Sequence, residues 1–197
     1  FLAGVGYNLL TKPERSTDKA SYSDFFRNGT FFSFAAGPSA IATPYLESYK
    51  RNLGMQTQVS VGKWFNPSSG LRLSGHASIY RDYLAYLLSY NTKRYWMRSV
   101  GLRAEYMLNM HNLFGGPRKD RLFEVNAIAG IDYSVLKEAK QNKHCNFGLG
   151  GALQGTFRIS NSTNFFIEPR VDVYGGSYVK SVISLRNKSL DVVPSLL

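Results

Sequence analysis

The chain is poor in the residues that most chemistry needs. A single cysteine, Cys145, in 197 residues removes any internal disulfide framework and any multi-cysteine zinc cluster. The three histidines, His76, His111 and His144, stand too far apart to supply a ligand pair at metal-site spacing, so no metal or redox cofactor is expected. Acidic residues are scarce as well, 13 against 24 Lys plus Arg, which leaves a net charge of +11 and directs attention to anionic partners. No stretch of about 18 uncharged apolar residues occurs, which excludes a membrane-spanning helix but not a membrane-spanning barrel.

What is present in quantity is period-two alternation. Leu53, Met55, Thr57, Val59 and Val61 alternate with Gly54, Gln56, Gln58 and Ser60, the dyad of a strand with one apolar and one polar face. The turn signal Asn66-Pro67-Ser68-Ser69-Gly70 follows, and alternation resumes from Leu71 to Ile79, predicting a hairpin. Similar runs cover 96–109, 123–134, 147–159 and 165–174, with weaker strands at 30–39 and 190–197. The count is eight. Several runs reach ten residues or more, where soluble strands average about five or six and a strand tilted across a bilayer needs about 9–11. Long and short connections largely alternate. The expected fold is therefore all-β: an eight-stranded antiparallel up-and-down transmembrane β-barrel with short periplasmic turns and longer extracellular loops. Residues 29–197 form this barrel in that reading, and residues 1–28 lie outside it, as a periplasmic arm or a fragment of a larger barrel. The start at Phe1, with no leader, reads as a mature or trimmed form.

If the apolar rows meet lipid, the polar rows fill the lumen, and their charges must nearly cancel because an unpaired ion in a confined interior is costly. They do: Arg72, Arg103, Arg158 and Arg170 face Glu105, Glu124, Asp132, Glu168 and Asp172. An eight-stranded lumen is only wide enough for side chains, so this set is expected to interlock as a plug without porin activity. Aromatic residues at strand ends, Trp64, Phe65, Tyr80, Tyr95, Trp96, Tyr133, Phe165 and Tyr174, are expected to form the two interfacial girdles. The basic surplus falls in connections: Lys50, Arg51, Lys93, Arg94, Lys140, Lys143, Lys180, Arg186 and Lys188 are expected on outer loops facing lipopolysaccharide phosphates or other outer-membrane proteins.

The stretch Val61-Gly62-Lys63-Trp64-Phe65-Asn66-Pro67-Ser68-Ser69-Gly70-Leu71-Arg72 resembles the second hairpin of the OmpA-like outer-membrane barrel domains of Bacteroidota, and Thr156-Phe157-Arg158-Ile159-Ser160 looks like the same family. The resemblance covers roughly residues 30–197. It implies an integral outer-membrane barrel of a Gram-negative cell with no enzymatic activity. Two features depart from the family pattern: nothing matches the peptidoglycan-binding domain that many relatives carry, and the chain stops at Val193-Pro194-Ser195-Leu196-Leu197 rather than at an aromatic-ended strand. The last strand therefore reads as incomplete.

Other motifs point elsewhere. Gly148-Leu149-Gly150-Gly151 has the glycines of a phosphate loop without its strand-to-helix setting, and close backbone approach within a barrel strand explains it more simply. Ser74 and His76 share a strand face and leave a lipid-A-modifying enzyme as an alternative, with a soluble lipocalin-like carrier as a third reading. Balanced charge on the polar face argues against nucleic-acid binding. The expected role is structural: packing against lipopolysaccharide and serving as an accessory subunit of an envelope assembly.

Overall fold

The computed structural model describes residues 4–8, 29–41, 53–82, 95–117, 121–137, 143–160, 163–175 and 190–197. Alternating polar and apolar residues take up extended backbone throughout, giving ten strands: β1 Gly4–Asn8, β2 Thr30–Ala40, β3 Leu53–Trp64, β4 Ser69–Asp82, β5 Tyr95–Asn109, β6 Phe123–Lys137, β7 Lys143–Arg158, β8 Thr163–Ile167, β9 Pro169–Gly175 and β10 Leu190–Leu196. Every pairing is antiparallel.

Ten strands make eight staves. β8 and β9 are one stave interrupted at Glu168. β1 and β10 share another, β1 lying between β2 and β8 and β10 between β2 and β9. The sheet closes on itself. From Trp64 on β3 the pairing runs through Gly70, Met107, Ile128, Ala152, Arg170, Ser195 and Ser39 and returns to β3 at Gly54, ten residues from its start. Eight staves with that stagger tilt by roughly 40° to the barrel axis. The fold is a closed eight-staved antiparallel β-barrel.

The shared stave corrects the sequence reading of residues 1–28 as lying wholly outside the barrel. Gly4–Asn8 is in the sheet, Gly4 opposite Phe166 and Val5 opposite Phe34, while residues 9–28 lie outside the described residues. Just along the same stave, Leu197 exchanges backbone hydrogen bonds with Glu168, its amide donating at 2.7 Å. Two half-strands thus occupy one position, which the expectation of one strand per stave does not anticipate.

One end of the barrel carries tight connections. In the β3–β4 turn, Asn66 Oδ1 accepts from the amides of Ser68 and Ser69 at 2.9 and 2.7 Å, the local side-chain bonding that makes Asn a turn former. Between β5 and β6 stands a short helix, α1 Met110–Gly115. Asn109 caps it by accepting from Asn112 N at 2.9 Å, and it ends at Gly116, whose φ of 70° suits glycine. Arg121 clamps the exit by donating to Gly116 O at 2.8 Å and Asn112 Oδ1 at 3.1 Å. The other end is the loop end, whose long connections lie outside the described residues.

Candidate functional site

The two surfaces of the wall are chemically opposite. Outward rows expose large apolar side chains: Leu102 is 69% exposed, Phe147 72% and Leu149 68%, with Val100, Ile131 and Leu73 alongside. Monomeric soluble proteins do not display contiguous apolar surface on this scale, whereas hydrocarbon would cover it at no cost. On β6 the apolar row runs from Phe123 to Val135, a rise of about 30 Å at roughly 3.3 Å per residue and 40° tilt, close to the thickness of a bilayer core.

Inward rows hold the charges. Arg72 and Glu105 are direct neighbours across β4 and β5, as are Arg103 and Asp132 across β5 and β6. Arg72 Nε donates to Glu105 Oε2 at 2.6 Å, and its two terminal nitrogens grip Glu168 at 2.8 and 2.9 Å in a bidentate pair. Because β4 and the β8–β9 stave stand four staves apart in either direction, this contact spans the full width of the lumen. Arg103 donates to Asp132 at 2.5 Å and to Asp172 at 2.6 Å. Arg170 joins Glu105, Glu168 at 2.9 Å and Asp172 at 3.3 Å. Neutral groups finish the set: Ser74 donates to Glu105 at 2.9 Å, Gln154 to Glu168 at 2.9 Å, and Gln58 accepts from Arg103 at 3.0 Å. Gln56, with its amide oxygen turned to Arg103, accepts from the same guanidinium at 2.9 and 3.1 Å. Each arginine meets at least two carboxylates, so the plug is one connected network rather than a row of separate pairs.

Apolar layers close it at both ends. At the loop end Ile41, Tyr80, Met97, Leu136, Tyr174 and Val193 pack together; at the turn end Met107, Ile128 and Ala152 pack against Phe31 and Trp64. Missing side chains make room for the network: a Cβ on Gly150 would lie 2.2 Å from Asp172 Oδ1, and one on Gly101 2.4 Å from the His76 ring. His76 Nδ1, Asp132 Oδ1, Ser134 Oγ and Asn146 Nδ2 make no hydrogen bond among the described residues, although His76 Nδ1 lies 3.5 Å from Asp132 Oδ2. They cluster around one row, His76–Gly101–Ser134–Asn146, polar enough to hold water.

Seven of the nine residues assigned to the lumen from sequence come together there: Arg72, Arg103, Glu105, Asp132, Glu168, Arg170 and Asp172. The other two assignments need correction. Glu124 is half-buried at the turn end, accepting from Asn109 Nδ2 at 2.8 Å, and Arg158 is exposed at the last residue of β7. Both sit where the barrel meets water, so neither is forced to find a buried counter-ion.

The girdle assignments divide. Phe65 and Tyr133 are exposed, and Phe165 is half-buried with its ring 6.3 Å from Phe157. Tyr80 and Tyr174 instead point inward, each only 1% exposed, because strand alternation puts them on the same face as Arg72 and Asp172. Trp64 is half-buried against the turn-end layer, its ring 6.4 Å from Phe31. Tyr95 and Trp96 lie on β5, with side chains outside the described residues. The same holds for Lys143 on β7, while Lys50, Arg51, Lys93, Arg94, Lys140, Lys180, Arg186 and Lys188 lie outside the described residues altogether. No trio of His, Cys, Asp or Glu among the described residues could hold a metal ion. Sequence reasoning missed Gln56, Gln58 and Gln154 as network members, although their inward parity marked them.

No family model and no curated protein matches the sequence. Among solved structures, the chain is similar to the crystal structure of Ail, the attachment invasion locus protein of Yersinia pestis, with a TM-score of 0.42 and 13% identity over 85% of this chain and 95% of that one.

Proposed function

We propose that this protein is an integral outer-membrane barrel of a Gram-negative cell, of the OmpA-like kind, with a structural rather than an enzymatic role. The observation that carries the reading is the inversion of the wall: apolar side chains outward, a connected ionic network inward. A lipocalin-like carrier needs the reverse arrangement, an apolar interior for its ligand and a polar exterior for water. The cross-lumen grip of Arg72 on Glu168 supports a barrel that conducts no solutes.

The lipid-A-modifying alternative gains no support from the site. Ser74 and His76 are buried in the lumen, away from acyl chains, and Ser74 donates to Glu105 rather than to His76. Packing against lipopolysaccharide and docking of other envelope proteins belong to the same proposal, resting on the basic residues placed by sequence at the loop end. The test is extraction and migration: the protein should stay with membranes through carbonate and high salt, need detergent for release, and migrate differently on gels before and after boiling. Release by salt alone overturns the reading. A lipid A mass spectrum altered by the native protein and not by His76→Ala would install the enzymatic one instead.

A further inference from the structure

The outward face carries a second pattern that the apolar belt does not absorb. Arg98 on β5 is the register partner of Lys137 on β6, and Lys137 is the register partner of Lys143 on β7. Three cationic positions thus stand side by side across three adjacent strands, about 4.8 Å apart at each step. The Arg98 and Lys137 side chains are exposed, and neither forms an ion pair with another described residue. Like charges directly opposite one another weaken a sheet unless an anion sits between them. This is the reverse of the lumen, where each arginine is answered by carboxylates.

The row's height gives the anion its setting. Two residues along each strand toward the bilayer come Val100, Val135 and Cys145, then Leu102, Tyr133 and Phe147, with the Tyr133 and Phe147 rings 4.9 Å apart. The cations therefore sit at the edge of the apolar belt on the loop end, at headgroup level. At the turn end of this side of the barrel the corresponding row is apolar: Phe123, Phe157 and Phe165 are register partners, with rings 4.7 and 6.3 Å apart.

We infer that Arg98, Lys137 and Lys143 form a site for a multiply phosphorylated lipid headgroup in the leaflet at the loop end, its acyl chains lying along Leu102, Tyr133 and Phe147. Charge-assisted hydrogen bonds to phosphate would relieve the repulsion along the row, and the guanidinium can engage two phosphate oxygens at once. This site rests on the reading of the protein as a membrane-spanning barrel, and it adds a strand-borne lipid site to the loops that the sequence nominated.

Cys145 supplies the probe, since it is exposed on the same face two residues from Lys143. A nitroxide on Cys145 in the full chain, reconstituted in phosphatidylcholine vesicles containing bisphosphorylated lipid A, should shorten the relaxation of the lipid A phosphomonoester ³¹P signals several-fold more than that of the phosphatidylcholine signal. The triple variant Arg98→Gln/Lys137→Gln/Lys143→Gln should bring the two lipids to equal relaxation, and monophosphorylated lipid A should show an intermediate preference. Unchanged preference in the triple variant, equal relaxation in the unsubstituted protein, or complete loss of the preference on adding inorganic phosphate would each overturn the site. Boiling-dependent migration is read on the same samples: wild type that fails to insert sinks the barrel reading itself. Should only the triple variant fail to insert, Lys137→Gln replaces it, with a reduced preference expected and an unchanged one contradicting the site.

Discussion

Along β5, Val100, Leu102, Ala104 and Tyr106 alternate with Gly101, Arg103 and Glu105, and neighbours 3.3 Å apart along the chain are asked to satisfy opposite media. The outer set needs only to be apolar, because hydrocarbon is as indifferent to side-chain identity as it is hostile to charge. The inner set needs particular partners at particular distances. Outside, then, composition suffices; inside, connectivity decides. The wall should tolerate apolar exchange on one face and resist almost any exchange on the other.

The sharpest way to break that contrast is to orphan a lumen charge. Arg72→Ala leaves Glu105 and Glu168 each short of a partner, and removing one member of a buried pair costs about 3–5 kcal/mol. Urea titration in detergent should show the midpoint falling accordingly, with part of the loss recovered in Arg72→Met/Glu105→Gln/Glu168→Gln. A conservative swap on the other face, Leu102→Ile, should leave the midpoint nearly unchanged. Charge on that face is next in size: Leu102→Arg places a cation against acyl chains and should cost about 2–4 kcal/mol near mid-depth, read as a lower yield of folded, boiling-sensitive protein in vesicles.

Adjacent glycines make a finer test. Gly150→Ala forces a methyl into the Asp172 carboxylate and should cost about 1–3 kcal/mol in the same titration. Gly151→Ala, one residue along on the outer face, meets nothing nearer than the Ile128 carbonyl at 3.9 Å and should move the midpoint by less than about 0.5 kcal/mol. Among the destabilising changes, the smallest loss is expected at the turn end. Asn66→Ala removes two hydrogen bonds to turn amides and should lower the midpoint by about 1 kcal/mol or less.

How much of this could be read beforehand follows the same division. From β3 to β7 the period-two rows told inside from outside, because alternation is a local property of the chain. Which arginine meets which carboxylate was not legible, since the reach of Arg72 to Glu168 depends on closure and on the ten-residue stagger. Neither quantity is written in any single strand. Tyr80 and Tyr174 were misplaced because residue type, an aromatic at a strand end, was allowed to outweigh parity, which put both inside. Gly4–Asn8 can be read as a strand, but a ninth strand breaks the even count of an up-and-down barrel, and only the stave it shares with β10 removes that objection. The space above Gly150 was legible only as missing bulk, its purpose emerging once Asp172 lay across from it.

The central claim is that alternate residues of one strand face hydrocarbon and ionic lumen. The most direct test uses a Cys145→Ser background carrying Val100→Cys, Gly101→Cys, Leu102→Cys, Arg103→Cys or Ala104→Cys one at a time, each labelled with a small fluorophore and reconstituted in vesicles containing brominated lipid. Strong quenching at 100, 102 and 104 with little at 101 and 103 is the expected result. Quenching in the opposite phase, or at no position, would contradict it.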